Sequence, residues 1–294
     1  MGPRIAGQGR VTPPIGRFTG PEGARLHYIE AGEGEGPPLL LLHGASGNLR
    51  DWWLSVFERL AATGPVIAVD RPGFGHSDPP PGRGWLLAAQ REAIRARIAE
   101  LGHARVIPVG HSWAGALALD WALAHPQEVP GVGVISGAVM DWGGALDAQY
   151  RATAAPGIGA VLAALVPRLV GRGRVRRALA AIFAPQSVPE RYVAQGGIDL
   201  ALRPATFRLN ARALAALHRQ IAENQPCYPA IRCPVEVIHG AADVIVPADI
   251  HARPVAERLP GARLTLLDRV GHMPHHAAPE KVVARLEALR SAVR

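Results

Sequence analysis

Apolar runs of strand length alternate with helix-length segments along most of this chain, as they do where helices cover both faces of a mostly parallel sheet. Residues 25–30 and 38–42 read as strands. The second is so uniformly apolar that it belongs at the sheet's centre, covered on both sides. A helix over 52–62 leads to a strand at 66–70, a Gly/Pro loop and a helix over 85–101. The next strand, at 106–109, runs directly into a helix over 113–124 that stops ahead of Pro126, because the residue before a proline is driven out of the helical region. Residues 132–136 form another buried strand.

The strand rhythm then disappears. From 139 to 229 the chain is Ala/Leu/Arg-rich helical pieces broken at Pro156, Pro167, Pro185, Pro189 and Pro204, which reads as an inserted helical subdomain. Strands return at 235–239 and 264–267, and a helix over 279–292 closes the chain. The division expected is a Pro/Gly-rich flexible arm at 1–17, a core of 18–138 with 230–294, and a cap at 139–229.

With 294 residues, 48% hydrophobic and 19% charged, the chain can bury a large core, and full disorder is excluded. Net charge is +8, but Lys281 is the only lysine and the arginines are scattered without aromatic interleaving, so no nucleic-acid role is expected. The densest cluster is Arg168, Arg172, Arg174, Arg176 and Arg177. It follows an apolar stretch at 158–166, which reads as the cap's underside packed on the core with the arginines in solvent. Cys227 and Cys233 are too few for a four-cysteine metal site and read as buried thiols. The first 17 residues lack the apolar centre of a secretion signal, and the low-charge stretch at 153–167 is too short and too interrupted to span a membrane. A cytoplasmic location is therefore expected.

Chemistry enters at Gly110-His111-Ser112-Trp113-Ala114-Gly115, where a strand turns sharply into a helix and presents a serine. The second glycine of the usual G-x-S-x-G is Ala114 here, one methyl larger. A serine hydroxyl needs a general base, and the base needs a carboxylate that fixes its tautomer. Both follow in sequence just past strand ends. Asp243 lies in His239-Gly240-Ala241-Ala242-Asp243, and His272 in Val270-Gly271-His272-Met273-Pro274. Asp141 and Asp249 are rival acids; His275 and His276 are rival bases without the preceding glycine. An oxyanion formed on attack needs two donors already in place, expected from the backbone N–H groups of Trp113 and of Ala45 in His43-Gly44-Ala45-Ser46. His43, Gly44, His111 and Trp142 are expected to shape the pocket, and Asp70-Arg71-Pro72-Gly73-Phe74-Gly75-His76-Ser77 to form a tight loop without chemistry of its own.

These five segments in this order resemble the α/β-hydrolase superfamily, in its capped Ser-His-Asp form, from Arg25 onward. The resemblance implies an α/β fold with an eight-stranded sheet, a cap inserted after the sixth strand, and no cofactor or metal. It implies a small-molecule substrate, with cleavage of a small carboxylic ester through an acyl-enzyme on Ser112. A carbon–carbon hydrolase acting on a β-diketone is the alternative enzyme, peracid formation of the cofactor-free haloperoxidase kind a possible accompaniment to either, and a ligand receptor that keeps the fold without turnover the non-enzyme alternative.

Overall fold

The computed structural model describes residues 12–143, 148–169 and 171–293. Eight strands form one sheet: β1 (Arg17–Thr19), β2 (Leu26–Ala31), β3 (Leu39–Leu42), β4 (Val66–Val69), β5 (Ile107–His111), β6 (Val132–Ile135), β7 (Val235–Gly240) and β8 (Ala262–Leu267). Their order is β1-β2-β4-β3-β5-β6-β7-β8. β1 and β2 run antiparallel to their neighbours and every other pairing is parallel. The all-leucine β3 is central, as its composition requires. Leu40 and Leu42 pack on one face of the sheet and Leu39 and Leu41 on the other.

The helices complete two covering layers. In chain order they are α1 (Arg50–Trp53), α2 (Phe57–Ala61), α3 (Leu87–Glu100), α4 (Trp113–Ala124), α5 (Ala148–Ala154), α6 (Ile158–Leu169), α7 (Arg172–Phe183), α8 (Glu190–Gln195), α9 (Ile198–Ala201), α10 (Pro204–Asn224), α11 (Ala252–Arg258), α12 (Pro274–Ala277) and α13 (Pro279–Ala292). α3 and α4 cover one face of the sheet, whereas α1, α2 and α13 cover the other. Between β6 and β7 the described chain holds only helices, from α5 to α10 and one 3₁₀ turn at Gln225–Ala230.

Several expectations need correction. The helix expected over 52–62 is two short helices, α1 and α2, with a turn at Leu54–Val56 between them. Residues 1–11 of the expected arm lie outside the described residues, but its end is held. Thr12 hydrogen-bonds Asp199 through its N–H at 3.0 Å, the Pro13 carbonyl accepts from Arg50 at 2.6 Å, and Arg17 opens β1. Cys227 is exposed and Cys233 partly so; neither is a buried thiol, and both are free. On α6, Ile158, Val161 and Leu165 stand 62%, 56% and 48% exposed, so this face of the stretch is not packed on the core. Arg174, Arg176 and Arg177 do face solvent, while the side chains of Arg168 and Arg172 lie outside the described residues.

The chain turns from β3 toward β4 on one side and toward β5 on the other, so the order reverses between β3 and β5. In open α/β sheets that reversal leaves a crevice at the carboxyl ends of the strands. The loops after β3 and β5 are the ones carrying His43–Ser46 and Ser112.

The loop after β4 is built on Asp70. Its carboxylate accepts from His27 Nδ1 at 2.7 Å, the His76 N–H at 2.8 Å and the Leu49 N–H at 2.7 Å. Gly75 crosses this carboxylate at φ +54°, where an added Cβ would lie 2.0 Å from it. Gly75→Ala is therefore expected to lower the unfolding free energy by roughly 2–4 kcal/mol, measured by urea unfolding; an unchanged midpoint would show that the loop can move aside.

Candidate active site

Ser112 sits where β5 gives way to α4, at φ 54° and ψ −120°, a strained conformation for a residue with a side chain. The surroundings hold it there. Its N–H donates to the Ile135 carbonyl at 2.9 Å, and its carbonyl accepts from Gly115 at 3.0 Å and Ala138 at 3.1 Å. Space is equally restrictive, since a Cβ on Gly110 would lie 1.9 Å from the Ala114 carbonyl and one on Gly44 3.0 Å from the Ser112 Cβ. The turn forms with alanine at 114, and the close approach to the neighbouring loop falls on Gly115, whose added Cβ would lie 2.8 Å from the Gly137 Cα.

Ser112 Oγ lies 3.0 Å from His272 Nε2, and His272 Nδ1 lies 2.8 Å from Asp243 Oδ2. A carboxylate only accepts, so Nδ1–H donates to Asp243 and Nε2 of the neutral ring accepts the serine proton. The other Asp243 oxygen accepts the N–H groups of Ile245 and Val246, both at 2.9 Å. Burial opposes its charge, but the hydrogen bond and charge of His272 outweigh burial and hold the carboxyl below the ordinary range. The rival acids are elsewhere: Asp141 is exposed and bonded to His218, and exposed Asp249 pairs with Arg253.

The histidine loop is tied in from two sides. His111 donates through Nε2 to the His272 carbonyl at 2.9 Å, and Gln186 accepts from the Gly271 N–H at 3.1 Å. His111 itself is buried. His275 and His276, the rival bases, are turned away onto buried Asp51 at 3.2 and 2.9 Å. Trp142 meets the ring of His218 edge to face and that of His251 at a tilt.

The loop after β3 shows a feature that sequence reasoning passed over. The Gly44 carbonyl accepts from His43 Nδ1 at 2.9 Å, Arg71 Nη2 at 3.0 Å and the Gly47 N–H at 3.3 Å. A trans peptide points its N–H opposite to its carbonyl, so these three donors also fix the direction of the Ala45 N–H. Arg71 is held in turn. Its Nε donates to the His43 carbonyl at 2.9 Å, and its guanidinium lies between the rings of Phe74 and Trp113, 4.2 Å from each. Burial pushes it down to about 9, still charged at neutral pH. Burial, with the charge of Arg71 second, drives His43 down to about 3, so this ring is a neutral hydrogen-bonding part. Asn210 of α10 completes the loop, accepting from the Ser46 N–H at 2.9 Å and donating to Ser46 Oγ at 3.0 Å. The only sequence signal for Asn210 was a polar residue on an otherwise apolar helical face.

Residues 37–279 match the family model described as alpha/beta hydrolase fold. An uncharacterised protein of Mycobacterium tuberculosis is 29% identical, over 94% of this chain and 81% of its own. Among solved structures, an esterase from Exiguobacterium antarcticum superposes with TM-score 0.74 at 21% identity, covering 94% of this chain and 100% of that one. A 2-hydroxy-6-oxo-6-phenylhexa-2,4-dienoate hydrolase from Rhodococcus gives 0.73 at 24%, covering 95% and 97%.

His43 at about 3 and His251, lowered by burial and then by His239 to about 4, both return to about 6.5 on unfolding. The unfolded chain then binds more protons, so stability falls as pH drops below about 6.5, by about 1.4 kcal/mol per pH unit for each histidine. Urea unfolding between about pH 7 and pH 5 is expected to show this loss; a flat profile would contradict the buried neutral rings.

Proposed function

The chain belongs to the alpha/beta hydrolase family, and we propose that it is a serine hydrolase cleaving a small carboxylic ester through an acyl-enzyme on Ser112. The observation that carries this reading is the continuous chain of hydrogen bonds from Ser112 Oγ through His272 to Asp243, with the serine on a strained turn at the switch point of the sheet.

In this mechanism His272 Nε2 takes the Ser112 proton as Oγ attacks the ester carbonyl. Asp243 keeps the ring in the tautomer that can accept it and stabilises the imidazolium that results. The Ala45 and Trp113 N–H groups stabilise the tetrahedral oxyanion, the first aimed by the bonds to the Gly44 carbonyl. His272 then returns the proton to the departing alcohol. Water, activated by the same imidazole, attacks the acyl-enzyme and releases the acid. Attack by serine on an epoxide or alkyl halide would instead leave an ether that this imidazole cannot release, so the geometry favours acyl substrates. The helical segment from 139 to 229 serves as the cap over this site, with the core at 18–138 and 230–294.

Labelling with a fluorophosphonate tests the nucleophile. Stoichiometric modification of Ser112 is expected, with none in Ser112→Ala and much slower reaction in His272→Ala; an inert Ser112 in folded protein would favour a receptor. A panel of p-nitrophenyl esters against dienol-diketones separates the two enzyme readings, and faster turnover of the diketones would replace the ester assignment.

Arg71→Met leaves an apolar side chain beside the rings of Phe74 and Trp113 and removes the donors to Gly44 and His43. It is expected to lower kcat by about 10- to 100-fold with KM little changed, short of the roughly 100- to 1000-fold cost of deleting an oxyanion donor. An unaltered kcat would show that the Gly44–Ala45 peptide holds its direction without Arg71.

A further inference from the structure

We propose that the groove between the loop at 73–85 and the first turns of α10 is a binding site for an organic phosphomonoester, separate from the Ser112 site. The groove has a volume of about 510 Å³, and neither Ser112 nor His272 lines it. Its walls carry Arg203, Arg208, Arg212, His76 and Trp85.

The charge in this groove is unbalanced. Arg208 and Arg212 lie one helical turn apart, where like charges repel. Burial lowers the Arg212 guanidinium, and the charge of Arg208 lowers it further. Arg203 stands immediately before α10 and donates one N–H to the Gly75 carbonyl at 2.9 Å; burial first, then the charges of His27 and Arg203, disfavour protonation of His76. Among the described residues no carboxylate lies within ion-pair distance of these three arginines. The one acid lining the groove, Asp78, is taken by Arg25 through two contacts at 3.0 and 3.3 Å.

One donor awaits a partner: Arg208 Nε is buried without a hydrogen bond. Leaving such an atom unmet is costly, and a ligand oxygen would supply its partner. α10 is 21 residues long and starts at Pro204, and its first-turn residues Ala205 and Thr206 line the same groove. The positive end of the helix therefore adds to the guanidiniums. Three cations, a helix N-terminus and an unmet guanidinium N–H match a dianion with several acceptor oxygens better than a carboxylate. The volume exceeds what a bare phosphate fills and lies in the range of small-molecule sites, and the indole of Trp85, with Arg212 4.7 Å above its ring, gives an organic group an apolar wall.

Calorimetric titration and thermal unfolding of the full chain with phenyl phosphate, inorganic phosphate and phenol test the proposal. Phenyl phosphate is expected to bind saturably and raise Tm, inorganic phosphate to bind more weakly, and phenol not to bind. Binding should weaken as salt rises. It should persist in Ser112→Ala, which separates this site from the proposed chemistry. Arg208→Gln and Arg212→Gln should each weaken phenyl phosphate binding about tenfold or more while leaving ester turnover unchanged. Without ligand, Arg212→Gln should raise Tm, since it removes a repelled charge; a merely structural arginine would lower it. The proposal is overturned if phenyl phosphate does not bind, if it binds no better than inorganic phosphate, if the double variant binds like the original, or if Ser112→Ala abolishes binding.

Discussion

On a turn as sharp as the one from β5 into α4, a serine can hold its oxygen toward an imidazole only by taking a backbone conformation that side chains ordinarily avoid. Ser112 does so at φ 54°, and much of the molecule's central architecture holds it there. β5 and β6 fix the approach through the Ile135 carbonyl, glycines at 44, 110 and 115 leave room for neighbouring backbone, and the buried α4 prevents relaxation. Strain of about 1–3 kcal/mol persists only where the surroundings determine the geometry more than once over.

The protein repeats one solution to the problem of a buried carboxylate. Asp51, Asp70 and Asp243 are each enclosed, and each is bonded to one or two imidazoles. Asp70 and Asp243 add backbone N–H groups to that bond. Burial alone would raise all three, yet each is held below its ordinary value. Only the Asp243 imidazole turns its second nitrogen toward a hydroxyl. Asp70 and Asp51 use the same chemistry to fasten loops, one beside β4 and the other beneath the segment after His272.

What the sequence could reveal follows from the range of the forces involved. Apolar runs and the residue patterns at strand ends are local, so the sheet core, α4 and α13 were legible, as were the residues that meet around Ser112. β1 was not, because three residues at a sheet edge carry no periodicity. The break between α1 and α2 was equally hidden, since the apolar spacing continues across it. Arg71 stood in view within a recognised loop, but its bond to the Gly44 carbonyl joins the ends of two strands and leaves no trace in spacing. The exposure of Ile158, Val161 and Leu165 depends on what α6 lacks as a neighbour, which composition does not record.

Asn210 grips Ser46 with both ends of its amide, and Trp113 donates its indole N–H to the Ala213 carbonyl one turn farther along the same helix. That helix is therefore a structural buttress. Swinging it aside would break all three bonds and leave the loop after β3 and the ring of Trp113 without this support, so wholesale opening and a braced serine surround exclude one another. A route that leaves α10 seated keeps the two compatible.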